Sequence, residues 1–235
     1  MTYVPSITCK ERRHINRGQP SPRNCGSLRY STMDVKQIIS EVKENLPYAM
    51  TPEVKWAARS IAFNPFFWNF VGRIEFKSHF FTKLAGGSKY RACYVFASIV
   101  FTLGLLRDYL FYEALQTQPK SPWLSNDLVK YSGVVTAAVG HVLAVSSMWA
   151  LGITGTYLGD YFGILMDEKV NCFPFNVCEN PMYTGSYLTF LGVALYEGKA
   201  VGVALSTLVW IIYQIGLCLE EPFTEKIYTE KNKQD

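Results

Sequence analysis

The sequence has little charge and few histidines. Of its 235 residues only 18% are charged, whereas a typical soluble domain carries about 25%. The net charge of +4 is too small to indicate a nucleic-acid-binding protein. A content of 49% hydrophobic and 15% aromatic residues excludes a largely disordered chain. The charges concentrate toward both ends and are absent from long central stretches, which is typical of a membrane protein.

The sequence also lacks the spacings that hold metals or disulfides. None of the six cysteines belongs to a C-x-x-C motif, and none of the three histidines lies near the closest pair, Cys172 and Cys178. We therefore predict no zinc site and no disulfide framework, and we treat the cysteines as small hydrophobic residues.

The first fifty residues contain no apolar run of the kind found in secretory signals. Residues 1–30 are rich in arginine and poor in acids, as in a mitochondrial transit peptide, but Pro5, Pro20 and Pro22 interrupt any amphipathic helix there. We predict a polar, basic N-terminal tail over 1–50 with one short amphipathic helix, from Asp34 to Leu46. The remainder, 51–235, is predicted to be a membrane domain.

Long uncharged stretches predict three membrane-spanning helices, because a span needs about 20 predominantly apolar residues. The strongest stretch runs from 131 to 159 and the last from 200 to 219. A shorter one becomes long enough if its flanking arginines, Arg91 and Arg107, extend toward the membrane surface. The predicted spans are at about 86–106, 134–154 and 198–218.

Two further elements are expected beside these spans. The aromatic stretch over 52–72 contains Pro65, so we predict a re-entrant or interfacial element that is broken at this proline. The pattern also allows an additional helix over 184–196, separated from the last span by a turn at Gly198. The fold class is therefore an all-α integral membrane protein.

Positive charges in short loops orient such a protein. The segment 155–180 has a single lysine, Lys169, so we predict that it lies in the lumen and the C-terminal tail in the cytosol. Five positive charges between Arg73 and Arg91 then fall on the lumenal side, in conflict with the rule.

Two adjacent carboxylates, Glu220 and Glu221, follow directly on the last apolar stretch. Acidic side chains at a helix C-terminus oppose the helix dipole, at a cost of up to ~1 kcal/mol each. The pair is therefore either an ordinary helix end in the headgroup region or the partner of a cation.

Three other places contain polar groups in apolar surroundings. The segment with Asp160 and Tyr161 suits either a headgroup pocket or an interfacial aromatic belt. Asn180 can cap a helix whose first turn begins with proline and contains Tyr183. His141 lies within an uncharged stretch, where it is either functional or hydrogen-bonded to a neighbouring helix.

Six motifs occur in an order that resembles the phospholipid methyltransferase family, in particular its phosphatidylethanolamine N-methyltransferases. The resemblance extends from about residue 52 to the C-terminus. The motifs are Phe63–Asn69 (FNPFFWN), Tyr90–Tyr94, Leu158–Leu165 (LGDYFGIL), Phe173–Asn176 (FPFN), Asn180–Tyr183 (NPMY) and Glu220–Thr224 (EEPFT).

The resemblance implies an integral membrane enzyme that methylates the amine of the phosphatidylethanolamine headgroup. The donor would be S-adenosylmethionine, and the product phosphatidylcholine, through mono- and dimethyl intermediates. The implied partners are the phospholipid and the bilayer, without metal or nucleic acid. The resemblance is compatible with an oligomer. The implied location is the endoplasmic reticulum membrane, with the mitochondrial membrane as second. An isoprenylcysteine-type carboxyl methyltransferase and a non-catalytic membrane scaffold remain the alternatives.

The family binds its cofactor with a Gly-x-Gly in a membrane helix and with a Glu-Glu pair. The pair corresponds to Glu220 and Glu221. The Gly-x-Gly corresponds to Ala138, Val139 and Gly140, where Ala138 departs from the pattern.

The resemblance also implies roles for residues outside these two elements. A glycine cluster nearby, Gly152 with Gly155, can share the role of the Gly-x-Gly or serve helix packing. The amine must lose a proton before it attacks, and the candidates for this base are His141 and Glu221. The substrate-binding candidates are Asp160, Tyr161, Asn180 and Tyr183.

Overall fold

A computed structural model describes residues 50–231, which form six α-helices, one short 3-10 helix and no strand. The predicted tail helix from Asp34 to Leu46 lies outside the described residues. The elements are α1 (Pro52–Ser78), α2 (Phe80–Leu84), α3 (Lys89–Gln116), α4 (Asp127–Thr156), the 3-10 helix (Gly159–Phe162), α5 (Pro181–Glu197) and α6 (Ala200–Lys231).

Three stretches of helix are long and apolar enough to cross a membrane, and they confirm the three predicted spans. They are α3, the stretch Asp127–Phe162 that contains α4, and α6 as far as Glu230. Each is longer than the uncharged stretch that predicted it, because the helix continues into polar residues, at both ends of α3 and at the C-terminal end of α6. The additional helix allowed over 184–196 is also present, as α5.

The aromatic stretch forms one continuous helix, α1, and the break expected at Pro65 is not observed. A proline removes one hydrogen bond of the helix, but side chains on both sides hold this segment. Asn69 Nδ2 donates to the Pro65 carbonyl (3.0 Å), and Asn64 Nδ2 donates to the Leu103 carbonyl of α3 (3.1 Å). The re-entrant or interfacial position of α1 in a membrane stays a prediction.

The segment 155–180 lies at the same end of the bundle as the last turns of α6. Thr224 Oγ1 donates to Asp160 Oδ2 (2.8 Å), and Met166 N donates to the Tyr228 hydroxyl (3.1 Å). The prediction that places this segment and the C-terminal tail on opposite sides of the membrane is therefore wrong. Its error was to count one crossing between them, whereas α5 and α6 run in opposite directions and return the chain to the same end.

We call this end, formed by the 3-10 helix, the segment 163–180 and the last turns of α6, the cavity end. The start of α3 lies here too, because its Cys93 and Phe96 pack in one cluster with Phe162 and with Ile227 of α6. The five positive charges between Arg73 and Arg91 belong to this end as well, on the same side as the segment 155–180. The opposite end, with the turns at 117–126 and 198–199, is called the turn end.

Helices α4 and α5 touch backbone to backbone along a row of small residues. A Cβ atom on Gly140 would lie 2.6 Å from both the Gly185 carbonyl oxygen and the Thr189 nitrogen. On Gly133 it would lie 2.6 Å from the Tyr196 nitrogen. Real atoms do not approach so closely, so only glycine fits at these points. Small residues at such spacing let membrane helices pack tightly.

Candidate active site

A cavity of about 460 Å³ lies inside the bundle, bordered by α1, α3, α4, α5 and α6. It extends from Tyr228 at the cavity end to Tyr213, which is fifteen residues earlier in α6. At 1.5 Å per residue this is about 22 Å along the helix axis. The volume is in the range of small-molecule sites, about 300–1,000 Å³, and the walls are mostly apolar.

The Glu220 carboxylate borders this cavity and accepts three hydrogen bonds. Trp68 Nε1 (2.6 Å) and Asn69 Nδ2 (2.8 Å) of α1 donate to Oε1, and the Tyr183 hydroxyl of α5 donates to Oε2 (2.6 Å). All three donors are neutral. The ion pairs between described residues, Arg107–Asp108 and Lys226–Glu230, do not include Glu220. The carboxylate is therefore fixed in place by neutral donors and has no ion-pair partner among the described residues, which suits a cationic ligand.

A second carboxylate, Asp160, also lines the cavity. It lies at the level of Thr224, which is one turn of α6 beyond Glu220 toward the cavity end. Thr224 donates to it, and it too belongs to none of these ion pairs. The neighbouring Tyr161 is buried beneath the cavity wall and does not line it. Its ring packs against Phe223 (4.9 Å between centroids) and against Gly72, where a Cβ would lie 3.0 Å from it. Asp160 therefore lines the cavity, whereas Tyr161 packs behind the residues that form its wall.

The second glutamate of the pair, Glu221, points away from the cavity. It is exposed, and Asn180 Nδ2 donates to its Oε1 (3.1 Å). Consecutive residues of a helix lie 100° apart around its axis, and at this point of α6 Glu220 lines the cavity whereas Glu221 does not. Of the four predicted substrate-binding residues, Asp160 and Tyr183 line the cavity, whereas Tyr161 and Asn180 do not.

The structure does not bring the Gly-x-Gly equivalent into the cavity. Ala138 and Val139 are exposed, and Gly140 packs against α5. His141 is exposed beside them, with Nδ1 3.3 Å from Thr189 Oγ1. A cofactor role for these residues stays a prediction. The part of α4 that lines the cavity begins one turn later, with Ala144, Met148, Leu151 and Gly155.

Sequence reasoning missed the partners of Glu220 and an arginine in the cavity wall. Trp68 and Asn69 belong to the first of the six motifs, yet their spacing gave no indication that they point at a residue about 150 positions away. Arg107 was taken as the end of a span, but α3 continues to Gln116 and leaves it well inside. An arginine inside a membrane-spanning helix usually has a function, so a longer predicted span would have identified Arg107 as a candidate.

Within residues 50–231 no three His, Cys, Asp or Glu side chains are close enough to hold a metal. The four cysteines of this range are unpaired. The absence of a metal from the working protein stays a prediction.

Comparisons with known proteins find phospholipid methyltransferases. The family model of phospholipid methyltransferases matches residues 129–231. Phosphatidyl-N-methylethanolamine N-methyltransferase of Emericella nidulans is 53% identical over 180 residues, 77% of this chain and 87% of the relative. The Saccharomyces cerevisiae protein of the same name is 45% identical over 202 residues, 85% of this chain and 98% of its own length.

A mammalian relative carries a different name. Phosphatidylethanolamine N-methyltransferase of Rattus norvegicus is 43% identical over 180 residues, 77% of this chain and 90% of the relative. These names do not favour the carboxyl methyltransferase or the scaffold alternative. No solved structure matches the chain. With relatives this similar over most of their length, the chain belongs to the phospholipid methyltransferase family, whose members are enzymes.

Proposed function

We propose that this chain methylates the headgroup amine of phosphatidylethanolamine and of its methylated derivatives, with S-adenosylmethionine as donor, in the cavity beside Glu220. The observation that carries the proposal is the pair of carboxylates, Glu220 and Asp160, that line a cavity in a membrane bundle and belong to no ion pair between described residues. Such a site suits ligands with positive charge, and donor and acceptor both carry it.

The residues present fit the donor. S-adenosylmethionine supplies a methyl group on a positively charged sulfur and carries an ammonium group as well. Glu220 and Asp160 offer two negative charges within about one helical turn of each other along the bundle. The Trp68 and Phe96 rings in the wall add apolar contact area and cation-binding faces.

The acceptor amine resembles a lysine and must lose a proton before it can attack. His141 and Glu221 lie outside the cavity, and Asp108, which lines it, is paired with Arg107. The carboxylates able to take this proton are therefore Asp160 and Glu220. Glu220 is already engaged by three donors, and we assign the proton to Asp160, which has one side-chain donor. The apolar walls exclude water and favour the neutral amine. Alignment of nitrogen and methyl supplies much of the rate.

We propose further that the cavity end faces the cytosol. Eight of the described Lys and Arg residues belong to this end and five to the turn end, and the positive-inside rule favours the richer side as cytosolic. The endoplasmic reticulum membrane is the proposed location, with the mitochondrial membrane as the alternative.

The test is methyl transfer in membranes that contain this protein as their one methyltransferase. Radiolabelled S-adenosylmethionine is supplied with phosphatidylethanolamine, its monomethyl derivative or a prenylcysteine, and the products are separated by methyl number. We expect label in phospholipid with either lipid acceptor. Label in the prenylcysteine ester alone would replace the proposal by the carboxyl methyltransferase, and no labelled product with any acceptor would favour a scaffold.

A further inference from the structure

Arg107 is the one lysine or arginine among the described residues that line the cavity. Its side chain is only 12% exposed, and it lies in the interior of a helix that is apolar enough to cross a membrane. A charged side chain there is costly and is usually kept for a function. Neither the donor's two cations nor the amine of the acceptor explains a buried positive charge.

The guanidinium is held rigidly and still has donors to offer. Its Nε (3.1 Å) and Nη2 (2.8 Å) donate to Asp108 Oδ1, and Nη1 donates to the Tyr213 hydroxyl. Its carbon lies 4.9 Å from the centre of the Phe190 ring. Three of the five N–H donors of an arginine are thus engaged. One on each Nη is left, and free guanidinium N–H groups suit a phosphate or carboxylate.

The distance from Arg107 to Glu220 fits a phospholipid headgroup. Tyr213, which contacts Arg107, is seven residues before Glu220 in α6, about 10 Å along the axis. The rings of Tyr183 and Tyr213 pack between the two charges, 5.0 Å apart. The attacking amine nitrogen lies about 3 Å from the methyl group. The phosphorus of the same headgroup is four bonds from that nitrogen, about 5 Å when the headgroup is extended. A headgroup that reacts near Glu220 therefore brings its phosphate to the level of Arg107.

The cavity wall beside Arg107 also leaves room for acyl chains. A Cβ atom on Gly104, one turn away in α3, would have no atom within 4 Å. The flanking Phe101 and Leu105 line the cavity and are 51% and 54% exposed on the surface of the bundle. Lipid can therefore reach from the bilayer to Arg107 at this point, whereas the two carboxylates lie nearer the cavity end.

We propose that Arg107 binds the phosphodiester of the phospholipid acceptor and so sets how deep the amine sits relative to Glu220. This inference depends on the proposed function, because it assigns the binding of the lipid in that same cavity. Asp108 and Tyr213 position the guanidinium, and Gly104 leaves the passage through which the acyl chains extend into the bilayer.

The first test separates lipid binding from donor binding. Arg107→Gln, Arg107→Lys and a matched control, Arg59→Gln, are compared; Arg59 is an exposed arginine over the Trp56 ring. We expect Arg107→Gln to raise the KM for phosphatidylethanolamine in mixed micelles about tenfold or more, with the Kd for S-adenosylmethionine within about twofold of wild type. Arg107→Lys should lie between, and Arg59→Gln should match wild type.

A second test excludes a merely structural role. Phosphatidylmethanol has the phosphodiester but no amine, and it should inhibit wild type competitively against the lipid. In Arg107→Gln, the inhibition constant of phosphatidylmethanol should rise about tenfold relative to the inhibition constant of diacylglycerol, which lacks the phosphate. If Arg107→Gln no longer binds S-adenosylmethionine, the same ratio measured in Arg107→Lys decides.

Two results would overturn the inference. One is an unchanged ratio of the two inhibition constants in every variant that binds the donor. The other is a weaker affinity for S-adenosylmethionine with the KM for phosphatidylethanolamine unchanged, which would assign Arg107 to the donor's carboxylate. Failure of the proposed function is distinct from both, because wild type itself would then yield no methylated phospholipid.

Discussion

The two sides of α4 are packed in opposite ways. Toward α5, the glycines at 133 and 140 bring two backbones into contact, and no side-chain atom could be added. On its other side α4 borders the cavity with Ala144, Met148 and Leu151, and across that space the glycine of α3, Gly104, has nothing within 4 Å of where its Cβ would be. Glycine closes the first interface and opens the second.

The comparison shows that a glycine motif in a membrane helix does not by itself indicate a ligand. The Gly-x-Gly equivalent ends at Gly140, on the closed side, whereas the carboxylates that suit a cation lie on the open side. Substitutions on the two sides should therefore fail in different ways, one by loss of the fold and the other by loss of binding.

The largest effect is expected for Gly140→Leu. Its side chain would meet the α5 backbone, so α4 and α5 must separate, at a cost of about 3 kcal/mol or more. We expect little folded protein and no activity, measured by thermal unfolding in detergent. Ala138→Leu, an exposed change in the same turn, is the control and should fold normally. A Gly140→Leu protein that unfolds at the wild-type temperature but does not bind S-adenosylmethionine would instead place Gly140 at the cofactor.

A smaller effect, confined to binding, is expected for Glu220→Gln. Removal of the charge should weaken S-adenosylmethionine binding about tenfold or more, the scale of a charge-assisted hydrogen bond. Its matched control is Glu221→Gln, one residue along α6 and outside the cavity, which should bind within about twofold of wild type. Equilibrium binding to both variants checks this, and an equal loss in the two would mean that the paired carboxylates act together.

The smallest effect is expected for Gly104→Leu on the open side. The added side chain has room, so the unfolding temperature should stay at the wild-type value. It narrows the passage beside Arg107, and we expect the KM for lipid to rise about fivefold, equivalent to ~1 kcal/mol. Thr102→Leu, exposed on the same helix but outside the cavity wall, is the control. A large drop in unfolding temperature for Gly104→Leu would show that this side is closed as well.

The sequence was sufficient to predict the helices and not their mutual arrangement. Uncharged length located α3, α4 and α6, because a membrane requires that length of any span. The 17 residues of α5 fell short of it, and the orientation assigned to the chain failed for that reason. Pro65 was read by its local effect, whereas contacts from Asn69 and with α3 keep α1 continuous.

The candidate site was predictable in residue type but not in direction. The Glu-Glu pair was found because two acids at the end of an apolar helix are unfavourable, yet only the packing of α6 shows that Glu220 faces inward and Glu221 outward. The donors to Glu220 come from helices distant in the chain, and no local pattern specifies such contacts.

The origin of those donors limits how far the protein can be divided. The region matched by the family model, 129–231, holds Glu220 and Tyr183 but neither Trp68, Asn69 nor Arg107. In a fragment limited to that region, Glu220 would lack its hydrogen-bond donors from α1, so the fragment could not be studied as a minimal enzyme. The region matched by the family model is thus smaller than the part of the chain that forms the site, and any transplant or split of this enzyme has to include α1 and α3.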